Sequence, residues 1–306
     1  MQLYLSNIFF KGHKNKLCFN EQANVIFNIL SLFLTFMPPQ NITDIITDNY
    51  IVDSIFLNRK VMVDCYYSAD YFNHPLISLL LVNDGQDLRT MQFKNILETV
   101  YCSGNIEPVF CVGMHCATDR KNEYGTANIL DYKGRGAKAA LYTQFVMEEL
   151  IPFIRSTYNI ISFKEKSFAG FSLGGLCALD IVWNHPHEFF KVGVFSGSLW
   201  WRDKDQDDED FNEDTDMIMQ RQVREGGYYP WLKFFFEVGT QDETADRNNN
   251  GIIDSIDDAL GLISELKNKG YNAESIKYLE MKDGKHDVPT WAEAFPKFLE
   301  WGWGKK

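Results

Sequence analysis

An α/β domain with a mostly parallel central sheet, helices on both faces and an antiparallel hairpin at its start is what the sequence predicts. Three observations predict it. Continuous apolar runs of strand length, ISLLLV at 77–82, PVFCVGM at 108–114 and KFFFEV at 233–238, read as strands buried on both faces. Segments with helical spacing alternate with them, as crossover connections between parallel strands require. Near the middle, a short strand runs into Gly170-Phe171-Ser172-Leu173-Gly174 and then into an apolar helix.

Taken in order, 51–57 and 61–67 flank Asn58-Arg59 and read as the opening hairpin. The strands 77–82 and 108–114 follow. Residues 137–156 carry Phe145, Leu150 and Ile154 at helical spacing. Strand 167–170 leads to helix 173–183, and strand 192–195 comes next. Strand 233–238, helix 256–269 and strand 275–279 complete the rhythm. The domain is expected over 48–306, with 1–47 as an N-terminal extension. The stretch from about 199 to 230, which holds the acidic block 203–216, is expected to form a small cap between strands.

The net charge of −12 argues against nucleic acid and anionic membrane surfaces, both of which need a surplus of Lys and Arg. The six cysteines form no CxxC, and no histidine stands at zinc-ligand spacing. Cys111 and Cys177 fall in apolar runs, so free thiols are expected, which favours a reducing, cytoplasmic compartment. Lys11, Lys14 and Lys16 precede the apolar run 25–37, in the order of an export signal. That run starts late, ends in MPPQ without a small-residue cleavage site, and is too short to span a bilayer. It reads as a packed extension, with export through an atypical signal as the alternative.

Residues 170–174 match G-x-S-x-G, with Gly175 behind them. A serine on a sharp strand-to-helix turn is exposed at the edge of the sheet, and small neighbours let strand and helix approach. Ser172 is therefore the candidate nucleophile, and the Leu173 N–H at the helix start a candidate oxyanion donor. With the order serine, acid, histidine, His286 in Asp283-Gly284-Lys285-His286-Asp287 is the base. His115 precedes the serine, while His185 and His187 sit just past the helix after it. Asp242, past the strand 233–238, is the candidate acid, with Glu243 and Asp246 as rivals. A second oxyanion donor is expected from Asn83-Asp84-Gly85-Gln86-Asp87, at the Gln86 N–H.

Together these residues resemble an esterase family of the α/β-hydrolase superfamily, which includes enterochelin-type siderophore esterases, feruloyl esterases, S-formylglutathione hydrolase and mycolyltransferases. The resemblance rests on LLVNDGQD (80–87), EY (123–124), QFVMEELIPFI (144–154), AGFSLGGL (169–176), FSGSLWW (195–201), GTQD (239–242) and GKHD (284–287), in this order. It implies the α/β-hydrolase fold and a triad of Ser172, Asp242 and His286, with no cofactor for the chemistry. The activity implied is hydrolysis of a small-molecule or glycan-linked ester. An acyltransferase with the same residues, or a silent binding module on the same fold, are the alternatives.

Two further features stand outside the triad. Trp200 and Trp201 follow the strand 192–195, where they either line a substrate pocket or pack under the acidic segment. Residues 246–257 follow the calcium-loop pattern D-x-[DN]-x-[DN]-G. Asp246, Asn248, Asn250, the Ile252 carbonyl, Asp254 and Asp257 would be the ligands of a structural calcium ion, with Gly251 at the turn.

Overall fold

Alternating side chains open the sheet. In this computed structural model, which describes residues 44–73 and 76–305, β1 (Ile45–Ser54) pairs antiparallel with β2 (Arg59–Ser68), Ile45 opposite Ser68 and Ser54 opposite Arg59. Asn58 closes the turn at φ 50°, a left-handed conformation that Asn tolerates better than most residues. β1 begins earlier than the apolar pattern suggested, because Thr47, Asp48 and Asn49 interrupt its apolar residues. The apolar run 25–37, with His13, His74 and Cys18, lies outside the described residues.

The remaining strands are β3 (Ser78–Asn83), β4 (Val109–Met114), β5 (Lys166–Phe171), β6 (Lys191–Phe195), β7 (Lys233–Gln241) and β8 (Ile276–Lys285). They form one eight-stranded sheet in the order β1-β2-β4-β3-β5-β6-β7-β8. β2 meets β4 antiparallel, and every later pairing is parallel. β3, β4, β6 and nearly all of β5 are buried along their length, which explains their continuous apolar runs. β8 extends well past the expected strand. It follows the end of β7, and the pairing shifts between Gly239 and Gln241.

The main helices are α1 (Gly85–Thr90), α2 (Phe93–Cys102), α3, α4 (Leu173–Asn184), α5 (Ile218–Glu225), α6 (Asp254–Lys269) and α7 (Val288–Trp303). α3 is continuous through Ala139–Gln144, a π-helical turn at Phe145–Leu150 and Ile151–Thr157. Strand alternation divides the core in two. Leu79, Leu81, Phe168, Phe234 and Phe236 face α3, α4 and α6. Leu80, Val82, Phe171, Phe195 and Phe235 face α2 and α7. α4 is apolar almost all round and is buried nearly throughout, as such a helix must be. No helix among the described residues is long and apolar enough to cross a membrane.

The sheet order reverses between β3 and β5. The chain leaves β3 towards β4 and returns to β5 on the other side. Their following loops therefore part at the carboxyl ends of the strands, where an open α/β sheet leaves a crevice. Residues 83–86 and 172–174 stand on its two sides. The segment between β6 and β7 carries a helical turn at Glu213–Asp216 and helix α5. Its acidic charge is held in part by Arg221 on Asp203 and Lys204 on Asp210, while Arg224 ties the segment to Glu265 of α6.

Candidate active site

The chain turns from β5 into α4 within a single residue. Ser172 sits at φ 55°, ψ −123°, a backbone state that costs on the order of 1–3 kcal/mol for a non-glycine residue. Its surroundings hold it there. The Ser172 N–H donates to the Phe195 carbonyl at 2.8 Å, and its carbonyl accepts from Gly175, Leu176 and Ser198. The flanking glycines are required by contact: a Cβ on Gly170 would lie 2.2 Å from the Gly174 carbonyl oxygen, and one on Gly174 would lie 2.5 Å from Asp84 Oδ2. Leu173 is the first residue of α4, so its N–H has no acceptor within the helix.

The loop after β3 is clamped to this turn. Asn83 Nδ2 donates to the Gly174 carbonyl at 2.8 Å, and Tyr142 Oη donates to Asn83 Oδ1 at 2.6 Å. Asp84 adopts φ 58° at the start of α1. Arg120 donates to its two carboxylate oxygens at 2.7 and 2.6 Å, and to the Phe171 carbonyl at 3.2 Å. The second residue of α1 is Gln86, whose N–H is likewise outside the intrahelical pattern. Its side-chain oxygen accepts from the Cys116 N–H at 3.2 Å. Two helix starts, at Gln86 and Leu173, thus stand on either side of Asn83 and Gly174.

His286 follows β8 directly. Its Nδ1 is 3.8 Å from Asp242 Oδ2, an ion-pair separation longer than a hydrogen bond. The imidazole is 40% exposed and the Asp242 side chain 1%. Neither Asp242 oxygen has a hydrogen-bond partner among the described residues. The Trp291 ring connects the histidine to the serine turn. It meets His286 edge-on at 5.4 Å, stacks on Phe171 at 5.0 Å, and donates from Nε1 to Ser196 Oγ at 2.9 Å. Among the described residues, the hydrogen-bond neighbour of the Ser172 hydroxyl is Ser198 Oγ at 3.4 Å. Of the rival acids, Asp246 is committed to its own loop, where it accepts the Asn250 and Gly251 N–H groups.

The tryptophan pair divides. Trp201 is fully buried, its ring against Gly125 and Gly136, whereas Trp200 is half-exposed beside it. The Arg135 guanidinium lies 5.0 and 5.1 Å from the two ring centres and is paired with Asp131.

In the loop 246–257, Asn248 Nδ2 and Asn250 Nδ2 both meet Asp257 Oδ2, at 3.0 and 2.7 Å. Asn249 at φ 56° and Gly251 at φ 88° bend the chain around them, and Ile253 packs against the core. Asp254 is drawn elsewhere: it accepts the Arg247 N–H at 2.8 Å and pairs with the Arg247 guanidinium at 3.4 Å. Arg247 also binds Asp258 and Glu213, joining this loop to the acidic insertion. Among the described residues, no three His, Cys, Asp or Glu side chains are grouped to hold a metal.

Sequence reasoning passed over Arg120, Ser198, Trp291, Glu237 and the pair His115–Asp64. Only Glu237 carried a signal, a carboxylate inside the apolar run KFFFEV. Its side chain is fully buried, and burial, then the charge of Asp242, pushes it up to about 8. His115 Nε2 lies 2.9 Å from Asp64, which Arg89 also grips with two hydrogen bonds. Burial alone would raise Asp64, but His115 and then Arg89 outweigh it and hold the carboxyl at about 2.

The family described as "Putative esterase" matches residues 54–301. The uncharacterized protein YbbA of Bacillus subtilis (strain 168) is 22% identical over 244 residues, covering 78% of this chain and 89% of that protein. Among solved structures, the enterobactin esterase FES of Shigella flexneri, determined in the presence of enterobactin, superposes with a TM-score of 0.63 at 20% identity, over 83% of this chain and 57% of that one. A ferulic acid esterase gives 0.62 at 16% identity, over 84% and 96%. An IroE-like serine hydrolase from Shewanella oneidensis gives 0.62 at 16%, over 83% and 80%. The chain thus spans less than three fifths of the enterobactin esterase, and these likenesses carry the fold, an α/β-hydrolase. The family match extends from the end of β1 to the last turns of α7, and the chain belongs to this esterase family.

Proposed function

We propose that the protein hydrolyses carboxylic esters through an acyl-enzyme on Ser172, with His286 as base and Asp242 as the acid that orients it. The observation that carries this reading is the strained Ser172 backbone at a strand–helix junction, set between two helix starts. His286 takes the hydroxyl proton as Oγ attacks the ester carbonyl carbon. The Leu173 and Gln86 N–H groups receive the charge that forms on the carbonyl oxygen. The alcohol leaves with the proton from His286, and water, activated by the same imidazole, releases the acid. Closing the 3.8 Å gap between His286 and Asp242 is a displacement of about 1 Å, of the kind that accompanies substrate binding.

Substrates in this reading are small-molecule or glycan-linked esters. The enterobactin and ferulic acid esterases among the structural relatives make aromatic acyl esters the first to try. Trp200, half-exposed beyond β6, is the candidate contact for such a ring. The loop 246–257 takes a structural calcium ion. Its donors are the oxygens of Asp246, Asn248, Asn250, Asp254 and Asp257 and the Ile252 carbonyl, a hard oxygen set that suits this ion. The Asn248 and Asn250 amides already meet Asp257, but through Nδ2, so for the ion each amide turns its oxygen inward and Asp254 leaves Arg247. The ion would stiffen the connection that carries Asp242 and takes no part in the reaction.

The test is hydrolysis of p-nitrophenyl and feruloyl esters by the wild type and Ser172→Ala. Loss of turnover in the variant, with fluorophosphonate labelling of the wild type alone, is the expected result. Equal rates in both proteins would overturn the assignment. Product ester formed in the presence of an added alcohol would point to acyl transfer instead.

A further inference from the structure

Glu237 lies on β7 two residues before Gly239 and on the same face of the strand, since side chains alternate. A Cβ built on Gly239 would stand 2.6 Å from Asp242 Oδ1, so the Asp242 carboxylate folds back over that face. The Gly239 position is about 7 Å along the strand from Glu237, a gap that a glutamate side chain largely spans. Both carboxyl groups are buried, and none of their four oxygens has a hydrogen-bond partner among the described residues. Two buried, unpartnered carboxylates on one face of a strand are unfavourable in a core. One proton resolves the conflict, because a neutral carboxylic acid gains an O–H donor and loses its charge.

We propose that Glu237 is a positioning residue: it is carried as the neutral acid behind Asp242, so that the two carboxyls share a single negative charge and Glu237 supplies the donor that Asp242 lacks. This rests on Asp242 acting as the orienting acid. Among the described residues, no hydrogen bond or ion pair reaches the Glu237 carboxyl. On β6, Ser196 gives its N–H to the Glu237 backbone carbonyl, and the nearness of that N–H lowers the Glu237 carboxyl, though by less than burial and Asp242 raise it. On α7, the polar group is the Trp291 indole, already bound to Ser196 Oγ. On β8, Leu279 is the register partner of Glu237, and Tyr278 beside it donates to Glu280. His286, beyond β8, is the group that the retained charge faces. Burial, followed by the Asp242 charge, raises Glu237 to about 8, so the neutral form holds at neutral pH and is lost in mild alkali. Ionisation then places two like charges behind the imidazole, which displaces Asp242 from it.

The experiment compares the wild type, Glu237→Gln and Glu237→Met in ester hydrolysis across pH 6 to 10, with infrared spectra of the carboxyl region over the same range. Glu237→Met is expected to lower kcat at least tenfold with little change in KM, and Glu237→Gln, a neutral donor, to recover most of that loss. The wild type should lose activity with a midpoint near the raised Glu237 value, and Glu237→Gln should lack this alkaline limb. The wild-type spectrum minus that of Glu237→Gln should show a neutral-acid carbonyl band at pH 6 that vanishes along the same titration; the subtraction removes the buried Asp180 and Asp258, whose carboxyls are also raised. The same alkaline limb in both proteins, or no such band in the difference spectrum, would overturn the proposal. The infrared measurement needs no turnover, so it separates this idea from the Ser172 assignment, and it decides the matter even where Glu237→Met fails to fold.

Discussion

Replacing Arg120 with methionine isolates the clamp between the two halves of the site. The guanidinium makes two hydrogen bonds to Asp84, whose side chain is 2% exposed, and one to the Phe171 carbonyl just before the serine. Methionine keeps much of the side-chain bulk over Tyr124 and removes the charge. Asp84 is then a buried carboxylate without its counter-ion, a loss of about 3–5 kcal/mol. The Arg120 side chain is itself 28% exposed, so water partly compensates, and roughly 3 kcal/mol is expected. In a domain of this size that lowers Tm by roughly 6–12 °C. Urea unfolding of Arg120→Met, Asp84→Asn and the double variant measures the coupling, since neutralising Asp84 removes the stranded charge. The double variant should recover about 2 kcal/mol relative to the sum of the single losses. kcat should fall by about 10- to 100-fold in Arg120→Met, because the turn that presents the Gln86 N–H loses its anchor. A loss under about 1 kcal/mol with strictly additive single changes would refute the idea that this ion pair holds the loop.

Three other expectations concern different substitutions. Gly174→Ala drives a Cβ against Asp84 Oδ2 and should destabilise by about 1–3 kcal/mol while lowering turnover; Gly261→Ala, within α6 and with open space around it, should instead gain about 0.5–1 kcal/mol in urea unfolding. Glu237 has an ordinary value of 4.5 and a folded value of about 8, so the folded state binds the extra proton and stability falls as pH rises between those limits. Relative to Glu237→Gln, the wild type should therefore lose several kcal/mol, on the order of 4, between pH 4.5 and 8, and equal slopes in the two proteins would contradict this. Calcium at a hundredfold excess over its Kd should stabilise the wild type by about 2.7 kcal/mol, an effect that a chelator reverses and Asp246→Ala abolishes; unchanged Tm with ion or chelator would remove calcium from the account.

The fold was legible where the strands are buried on both faces, because burial forces continuous apolar runs such as those of β3, β4 and β7. The serine turn was legible because its glycines are demanded by backbone contacts only a few residues away. The limits have physical causes too. α2 and the helix within the insertion are amphipathic but span only 10 and 8 residues, too few turns for the period to repeat clearly. α7 carries Phe295, Phe298 and Leu299 at helical spacing, but its start is set by Asp287, which caps the Thr290 N–H directly behind the histidine. Arg120–Asp84 and His115–Asp64 join residues far apart in the chain, so no local pattern announces them. The position of Asp242 could be read, but the 3.8 Å spacing to His286 depends on the shifted β7–β8 pairing and on Asp283 at φ 60°.

The bond from Asn83 to Gly174 joins residues 91 apart in the chain, at the ends of β3 and β5, which become neighbours only after β4 has been laid down on the other side of β3. No fragment that stops before β5 can make it, and no local collapse brings the two loops together. Contacts of such separation form late, after the entropy of closing a long loop has been overcome. Ester turnover during refolding should thus trail the return of helical signal, making catalysis a reporter of completed topology rather than of secondary structure.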